Sequence, residues 1–487
     1  MSESTGAVVP ADESGQRSTS ALGRAVVADA LRSVAPAAAA AAAAEENWRS
    51  GYPRHFRGLV EHGLSHTPDA VRIAADGLAS LAARWEWQDA GSTRPLRDVF
   101  DGATAGPALA TEVVEGQGAP ERELSVPYRG RRLTGSALRD ALEDWVERGI
   151  VEPDTAAAVG RVASHPEWLG LPGRTTVVLG ASSEMGPLRS LLRWGADVAA
   201  LDLPRPDLWS RLLTDVRRYA GRMHVPTQPR STGVLARRAG VDILHDLPRV
   251  ATWIDGLDGR LVLGNYVYGD GVVNLRLSGA TDALAVHLME RREDCALAYL
   301  ATPTDVFAVP REAVRASRAT YEHRRGRLLT AGVRTLSRDA LYRPGYPGVP
   351  DPGRPGITDC IVPQQGPNYL LAKRIHRWRA TDARTHGRQV SFAVAPPTRT
   401  RSVLKNRALA AAYAGAHRFG VEVFEPATAN TLMAALLVHD LHVDRSAGLH
   451  PWEHEATHAA HGGLWRTGYD PRSVLGIAAV TGVLSRH

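Results

Sequence analysis

The sequence predicts an α/β fold in which a doubly wound parallel sheet follows an N-terminal helical extension. After Gly173, short apolar segments alternate with helical segments, the order typical of parallel strands joined by crossover helices. The first apolar segment, residues 176–179, has no polar alternation, as in a strand that is buried on both faces. Residues 46–172 instead carry apolar residues at helical spacing, with no recognisable catalytic motif.

The chain of 487 residues is expected to comprise four parts. Residues 1–45 are rich in Ser, Gly and Ala and end in an alanine tract, which predicts disorder or a loose helix. The helical extension at 46–172 contains a Gly- and Ala-rich linker at about 102–120. The α/β domain is predicted at 173–440, and the His- and Trp-rich residues 441–487 are expected to pack on it.

Apolar runs and helical periodicity place the individual elements. In the extension, helices are predicted within 47–90, at 136–151 and from 152 to 162. In the α/β segment, strands are predicted at 176–179, directly before Asp202, and at 260–263, 296–301, 357–362, 389–395 and 421–424. Helices are predicted after the turn at 180–186 and at 208–219, 274–291, 310–329, 367–379, 403–419 and 430–438.

Composition and charge narrow the classes of function. Hydrophobic residues make up 44% of the chain and charged residues 23%, and no apolar run of about 18 residues predicts a membrane span. The N-terminus has no secretory pattern and only Cys295 and Cys360 are present, so we expect a cytoplasmic protein. The net charge is +6, but 52 acidic residues are interleaved with the basic ones, which favours a small-molecule substrate over nucleic acid.

The segment that follows the first strand predicts a nucleotide-type cofactor. A tight turn of small residues lets the backbone approach a pyrophosphate, and the helix behind it offers N–H groups and the positive end of its dipole. Asp202 follows the next predicted strand, where a carboxylate can accept the hydroxyls of an adenosine ribose. The candidate cofactor-binding residues here are Gly180, Ser182, Ser183, Met185, Gly186 and Asp202.

The second half resembles the short-chain dehydrogenase/reductase superfamily in a divergent form. GASSEMG at 180–186 is similar to that family's G-A-S-S-G-I-G turn, with Glu184 in place of the middle glycine. Tyr369 and Lys373 reproduce the Y-x-x-x-K pair on a predicted helix and use one of only two lysines in the chain. Asn265 after a strand resembles the Asn-Ala-Gly segment. The stretch at 390–400 resembles the strand and loop beside the nicotinamide, with Pro397 where glycine is usual.

The resemblance implies a Rossmann-type domain and an NAD(P)-dependent oxidoreductase of the carbonyl reductase or alcohol dehydrogenase type. It implies that Tyr369 transfers the proton, and that Lys373 holds the cofactor ribose and lowers the tyrosine pKa. Asp202 favours NAD, with NADP as the alternative, and a homo-oligomer is expected. The further cofactor-binding residues implied are Asn265, Lys373, Pro396 and Thr398.

The family's catalytic serine has no clear counterpart, and alternatives therefore stay open. Residues 356–365 contain no serine, so that Gln364 or Gln365 would have to bind the carbonyl. Alternatively, Thr302 or Thr304 supplies the hydroxyl after the strand that ends at Ala301, with an insertion at 305–356. The competing functions are a non-catalytic or regulatory dinucleotide-binding protein and, less favoured, an adenosylmethionine-dependent methyltransferase.

Residues 454–458, HEATH, match the H-E-x-x-H pattern in which two histidines one helical turn apart bind zinc. The motif follows the last predicted strand, and the downstream spacing of a metzincin is absent. A zinc hydrolase is therefore the less favoured interpretation. We expect a hydrogen-bonded or surface histidine cluster and predict no metal.

Overall fold

The computed structural model describes residues 5–89, 91–101, 106–229, 233–324, 327–443 and 448–484. The strands are β1 (Gly6–Val8), β2 (Glu86–Asp89), β3 (Ser92–Pro95), β4 (Ala110–Glu115), β5 (Val126–Tyr128), β6 (Arg131–Leu133), β7 (Arg174–Leu179), β8 (Asp197–Leu201), β9 (Arg222–Thr227), β10 (Arg260–Asn265), β11 (Ala296–Ala301), β12 (Val306–Val309), β13 (Gly356–Asp359) and β14 (Val390–Val394).

The helices of the first half are α1 (Thr19–Arg32), α2 (Pro36–Ala43), α3 (Trp48–Glu61), α4 (Thr67–Arg84), α5 (Gly135–Glu147), α6 (Pro153–Ala163), α7 (Leu188–Arg193), α8 (Pro206–Arg218), α9 (Leu235–Arg238) and α10 (Ile243–Asp255). Those of the second half are α11 (Gly271–Arg291), α12 (Arg311–His323), α13 (Arg327–Leu336), α14 (Gly366–Thr385), α15 (Arg401–Lys405), α16 (Arg407–Gly415), α17 (Pro426–His442), α18 (Pro451–Thr457) and α19 (Pro471–Leu484). Among the described helices, none has the length and apolar character needed to span a bilayer.

The central sheet confirms the predicted α/β class. It has seven strands in the order β14-β11-β10-β7-β8-β9-β4, and only β4 runs antiparallel to its neighbour. The six parallel strands, numbered 1 to 6 in chain order, are β7, β8, β9, β10, β11 and β14. Their order across the sheet is 3-2-1-4-5-6. The direction of winding reverses between β7 and β10, where Leu179 pairs with Asn265. A crevice at the carboxyl ends of the strands opens at such a switch point.

Both faces of the sheet are buried, because successive residues of each strand alternate between two cores. Val177 and Leu179 lie in a core shared with the N-terminal helices and with α10, α11 and α14, whereas Val178 lies in a core shared with α5, α6, α8 and α17. The continuous apolar character of β7 follows from this double coverage. Helix α14 packs on β11 and β14 and also contacts α3 and α4.

The first 45 residues differ from the prediction of disorder or a loose helix. From Thr5 onward they form β1, α1 and α2, and Val26 and Val27 of α1 are fully buried. Ala39 and Ala42 of the alanine tract are also buried. Small side chains let α2 lie close against α1, so that tertiary packing stabilises a segment whose composition alone suggests little structure.

The segment predicted as a helical extension with a linker also contains strands, and one of them is part of the central sheet. The segment predicted as a linker contains β4, which completes the main sheet beside β9. Neither strand was predicted, because charged residues and Pro226 interrupt the apolar pattern of β9 and alternate residues of β4 are exposed. Residues 357–362 contribute β13, which pairs with β12 outside the main sheet, and 421–424 make only an isolated bridge to Thr398.

Candidate functional site

The turn after β7 lies at the switch point and depends on a glycine. Gly180 has a φ of +79°, and a Cβ atom there would lie 2.9 Å from the carbonyl oxygen of Tyr266, in the loop after β10. The Gly180 N–H donates to the carbonyl of Leu201 at 2.9 Å. Gly186 is less crowded, since a Cβ atom at this position would have its nearest neighbour in Ser183, at 3.5 Å. The loop after β10 therefore approaches Gly180 too closely for a side chain, whereas a Cβ atom at Gly186 would have only ordinary van der Waals contacts.

Asp202 lies beside this turn. Its Oδ2 accepts a hydrogen bond from the Ser182 N–H at 2.7 Å, and its Oδ1 accepts one from the Leu203 N–H at 2.8 Å. Ser183 donates its N–H to the Gly180 carbonyl, and Met185 packs against the core on one face of the sheet. The predicted residues of the turn and the predicted acid are thus brought together, and Asp202 fixes the conformation of the turn.

The charge of Glu184 is neutralised within the protein. Its carboxylate accepts a hydrogen bond from the Arg401 N–H at 2.8 Å and forms an ion pair with the Arg401 guanidinium at 3.2 Å. The carboxylate is therefore directed toward the loop after β14. Helix α7 begins only at Leu188 and has six residues, so the turn is longer than the predicted direct passage into a helix. Any N–H groups offered to a phosphate would be those of the turn itself.

Tyr369 and Lys373 lie on α14 beside the carboxyl end of β11. The Lys373 Nζ donates to the carbonyl of Leu300 at 3.2 Å and lies 5.9 Å from the centre of the Tyr369 ring. Tyr369, Lys373 and Thr302 are each half-buried. Burial raises the pKa of Tyr369, against the opposing effect of a hydrogen bond with Thr302. Burial lowers the pKa of Lys373 to about 8, against the attraction of Asp305.

A chain of hydroxyl and amide groups continues from this pair. The hydroxyls of Thr302 and Thr304 are 2.7 Å apart, and the Thr304 hydroxyl donates to Oε1 of Gln365 at 2.8 Å. Both kinds of candidate for the missing serine therefore occur in one network, and Thr302 is the member that interacts with Tyr369. The intervening insertion of β12, α12, α13 and β13 separates Thr302 from α14 in sequence but not in space.

The remaining predicted cofactor residues have internal partners. Asn265 is buried at the end of β10, and its amide nitrogen lies 2.8 Å from the Thr281 hydroxyl and 3.2 Å from Nε2 of His376. Thr398 is buried in the loop after β14 and donates its hydroxyl to the carbonyl of Pro396 at 2.8 Å. Asn265, Pro396 and Thr398 thus lie at the expected edge of the sheet. The side chains of Asn265 and Thr398 form hydrogen bonds within the protein.

A buried ionic cluster, absent from the predicted site, supports α14. Asp305 contacts Arg374 at 3.2 Å and Arg377 at 2.8 Å, and Arg377 also forms two hydrogen bonds of 2.6 Å with Glu455. Each of these side chains except Glu455 is less than 5% exposed. The sequence contains no signal for this cluster, because an arginine in a helical segment is normally expected to face solvent. The sequence does not show that a distant carboxylate is buried beside it.

The H-E-x-x-H residues do not converge on one site. Glu455 binds Arg377, whereas His458 follows the end of α18 and contacts Asp440 of α17 at 3.1 Å. His454 and His458 are both buried, and His458 contacts Asp440, so of the two expected alternatives the structure has the hydrogen-bonded histidine rather than the surface cluster. In a zinc hydrolase of this type both histidines bind one ion and the glutamate acts as a base beside it. Here Glu455 is bound to Arg377, and His458 contacts Asp440 instead.

Comparison with known proteins gives no relative. No protein-family model, no curated protein and no solved structure matches the chain. The geometry at the carboxyl edge of the sheet is therefore the basis on which a function can be assigned.

Proposed function

We propose that the protein is an NAD(P)-dependent oxidoreductase that acts on a carbonyl or alcohol, with a Rossmann-type domain similar to that of the short-chain dehydrogenases/reductases. The observation that carries this proposal is the meeting of Tyr369, Lys373 and Thr302 at the carboxyl end of β11. A phenol, an ammonium and a hydroxyl, each half-buried and close to the others, are groups that a proton transfer to a carbonyl oxygen can use.

The strand order supports a dinucleotide site. The order 3-2-1-4-5-6 places the turn at 180–186 at the switch point, where the carboxyl ends of β7 and β10 diverge and nucleotides bind in doubly wound sheets. In this proposal the absence of a side chain at Gly186 lets the cofactor approach the backbone, and Asp202 directly follows the second strand. A carboxylate there accepts ribose hydroxyls and repels a 2′-phosphate, which favours NAD over NADP.

The chemistry follows from the environment of each group. Burial raises the Tyr369 pKa, so the hydroxyl is protonated at neutral pH but is a weaker acid than an exposed tyrosine. In this proposal it gives its proton to the substrate carbonyl oxygen as negative charge develops there. The Lys373 ammonium stabilises the negative charge left on the phenol and can reach a ribose hydroxyl. Thr302 would orient the same carbonyl oxygen. The nicotinamide, when bound, supplies or accepts the hydride.

A non-catalytic dinucleotide-binding protein is the second candidate. The observations that favour it are the internal hydrogen bonds of Asp202, Asn265 and Lys373, which a bound cofactor would have to share or replace. In this second candidate function the protein binds a dinucleotide at the same site but catalyses no reaction. A methyltransferase would use the same turn and acid but would give Tyr369 and Lys373 no role.

Ligand binding tests the nucleotide site. We expect NADH to raise the unfolding temperature of the full chain and to show enhanced fluorescence, NADPH to act more weakly, and adenosylmethionine to have no effect. Gly186→Ala adds a methyl group that meets no protein atom within 3.4 Å, so it should leave the unfolding temperature unchanged and weaken NADH binding by about tenfold or more.

Gly160→Ala is the matched control, since a Cβ atom at this position on α6 has no neighbour within 4 Å. It should bind NADH as the wild type does. Lack of any response to both nicotinamide nucleotides would overturn the cofactor assignment, and a response to adenosylmethionine alone would favour the methyltransferase.

A further inference from the structure

A second cluster of chemically active side chains lies away from the candidate active site. His439 and Asp440 belong to the last turn of α17, and His458 directly follows α18. Their side chains are 10%, 0% and 1% exposed. One ligand atom from each residue lies within 4.8 Å of the other two. Two imidazoles and one carboxylate thus converge in the interior of the protein.

The spacing within this His–Asp–His cluster suits a common ion. Nδ1 of His458 lies 3.1 Å from Oδ1 of Asp440, and Nδ1 of His439 lies 3.4 Å from the same oxygen. Two ligand atoms at about 2.0–2.2 Å from a tetrahedral ion are about 3.3–3.6 Å apart. We propose that His439, Asp440 and His458 bind a structural divalent transition-metal ion, with Zn²⁺ as the ion that two imidazoles and a carboxylate suit best.

A neighbouring strand orients the carboxylate. The Ser391 hydroxyl of β14 donates to Oδ2 of Asp440 at 2.9 Å. This oxygen also lies 3.3 Å from Nδ1 of His458, whereas Oδ1 is the oxygen that contacts both histidines. A second contact like that of Ser391, which fixes a ligand and leaves its other oxygen for the ion, is a usual accompaniment of metal sites. The cluster therefore has two ligands from α17, one from the segment after α18, and a support for the carboxylate from β14.

The position of the cluster points to a structural role. Asp440 contacts Ser391, the second residue of β14, so its carboxylate lies toward the amino end of this strand, whereas Tyr369 and Thr302 lie at the carboxyl end of β11. The chain after α18 runs along the edge of β14, with the Val394 N–H donating to the His458 carbonyl and the Ala460 N–H to the Val394 carbonyl, both at 2.9 Å. An ion here would fasten this C-terminal segment to α17.

Metal analysis of the full chain tests the proposal. The protein purified without chelator, then loaded with Zn²⁺ and dialysed, should contain equimolar zinc by mass spectrometry. Removal of the ion with a chelator should lower the unfolding temperature, and Zn²⁺ should restore it. Co²⁺ in place of Zn²⁺ should give visible d–d absorption without a thiolate charge-transfer band, because the ligands are nitrogen and oxygen.

Variants locate the site. His458→Gln and Asp440→Asn should lose the bound metal, whereas His461→Gln should keep it. His461 is the matched control, because it is fully buried on the same segment and pairs with Glu152 instead. If the wild type takes up no equimolar Zn²⁺ or Co²⁺, or if His458→Gln retains the same amount, the cluster is only a hydrogen-bonded His–Asp–His arrangement and the proposal is wrong. The wild-type Co²⁺ spectrum decides the matter even if a variant does not fold.

Discussion

At the scale of single residues, burial determines the protonation states of Tyr369 and Lys373 and therefore the roles that they can have in a proton transfer. Burial favours the neutral form of each group, so that the phenol keeps its proton and the ammonium loses its proton more readily than an exposed lysine does. A protonated phenol beside a partly desolvated ammonium is arranged for giving a proton to a carbonyl oxygen. For the proposed oxidoreductase, we therefore expect reduction of a carbonyl at neutral pH.

Removing the Tyr369 hydroxyl should separate binding from chemistry. We expect Tyr369→Phe to lower kcat for carbonyl reduction by about 10²–10⁴-fold, the range for loss of a general acid, with NADH affinity nearly unchanged. Tyr413→Phe is the control, because Tyr413 is close enough to influence the Tyr369 pKa but lies on α16 outside the predicted pair. Steady-state kinetics and NADH titration measure the two effects. Unchanged turnover in Tyr369→Phe would refute the assigned role.

The pH dependence of turnover should reveal Lys373. The predicted chemistry needs the ammonium form, so kcat should fall as pH rises through about 8, the pKa to which burial lowers this lysine. The contribution of Lys373 to the free energy of unfolding changes in the opposite direction, because it increases with pH. Between about 8 and the ordinary lysine value the unfolded chain holds the proton and the folded chain does not, so this group makes the protein more stable as pH rises. A loss of activity in this window would therefore not be explained by a destabilising effect of Lys373.

Lys373→Arg gives the corresponding test, because arginine stays protonated. Any residual activity of this variant should show no inflection near pH 8. If its pH profile keeps the wild-type inflection, another group is responsible.

At the scale of elements, α14 is held by charges rather than by apolar packing alone. Arg374 and Arg377 face Asp305, which is 1% exposed, and the carboxylate is shared between them. Removing one partner of a buried pair leaves an uncompensated charge in the interior, which is far more costly than the loss of a surface pair. The same carboxylate acts on the Lys373 pKa, so this cluster connects the stability of the helix with the candidate site.

Asp305→Asn should lower the free energy of unfolding by about 3–5 kcal/mol. Urea titration at pH 7 measures the change. Glu61→Gln, which breaks the exposed pair of Glu61 and Arg57 on α3, should cost less than about 1 kcal/mol. A loss of similar size in both variants would show that the interior pair is not isolated from solvent.

At the scale of the whole molecule, distant parts of the chain meet at Glu152. This residue precedes α6, and its N–H donates to the Ala459 carbonyl at 2.9 Å. Its carboxylate binds His461 at 2.9 Å and Arg466 at 2.7 Å. Burial alone would raise the Glu152 pKa, but these two partners outweigh it and hold the pKa at about 2. The N-terminal half and the C-terminal segment are thereby joined through one carboxylate.

The protein should consequently lose stability in acid through this group. The Glu152 contribution is complete above the ordinary glutamate pKa and is lost as pH falls toward about 2, and it amounts to about 3 kcal/mol. Glu152→Gln should therefore be less stable than the wild type at pH 7, with a difference that narrows below about pH 4.5. Urea midpoints across pH measure it. Glu147→Gln, at an exposed carboxylate, should follow the wild type at every pH.

Local patterns in the sequence were sufficient for much of the α/β framework. Strands β7, β10, β11 and β14 and helices α8, α11 and α14 lie where apolar runs and helical spacing predict them. The turn beside Asp202 was also predictable, because the ends of two successive parallel strands lie next to each other. The spacing of Tyr369 and Lys373 was predictable because both residues belong to one helix. The nicotinamide cofactor remains a prediction.

Only the tertiary structure decided the rest, because it depends on residues far apart in sequence. Strand order made β7 and β10 the switch point, and packing brought Thr302 to Tyr369 across an insertion. The same folding buried the alanine tract of α2, turned α14 arginines toward Asp305 and joined His458 to Asp440. Whether an alanine, arginine or histidine is buried depends on which distant segments pack against it. Composition and spacing alone therefore do not distinguish a solvent-exposed position from a core position.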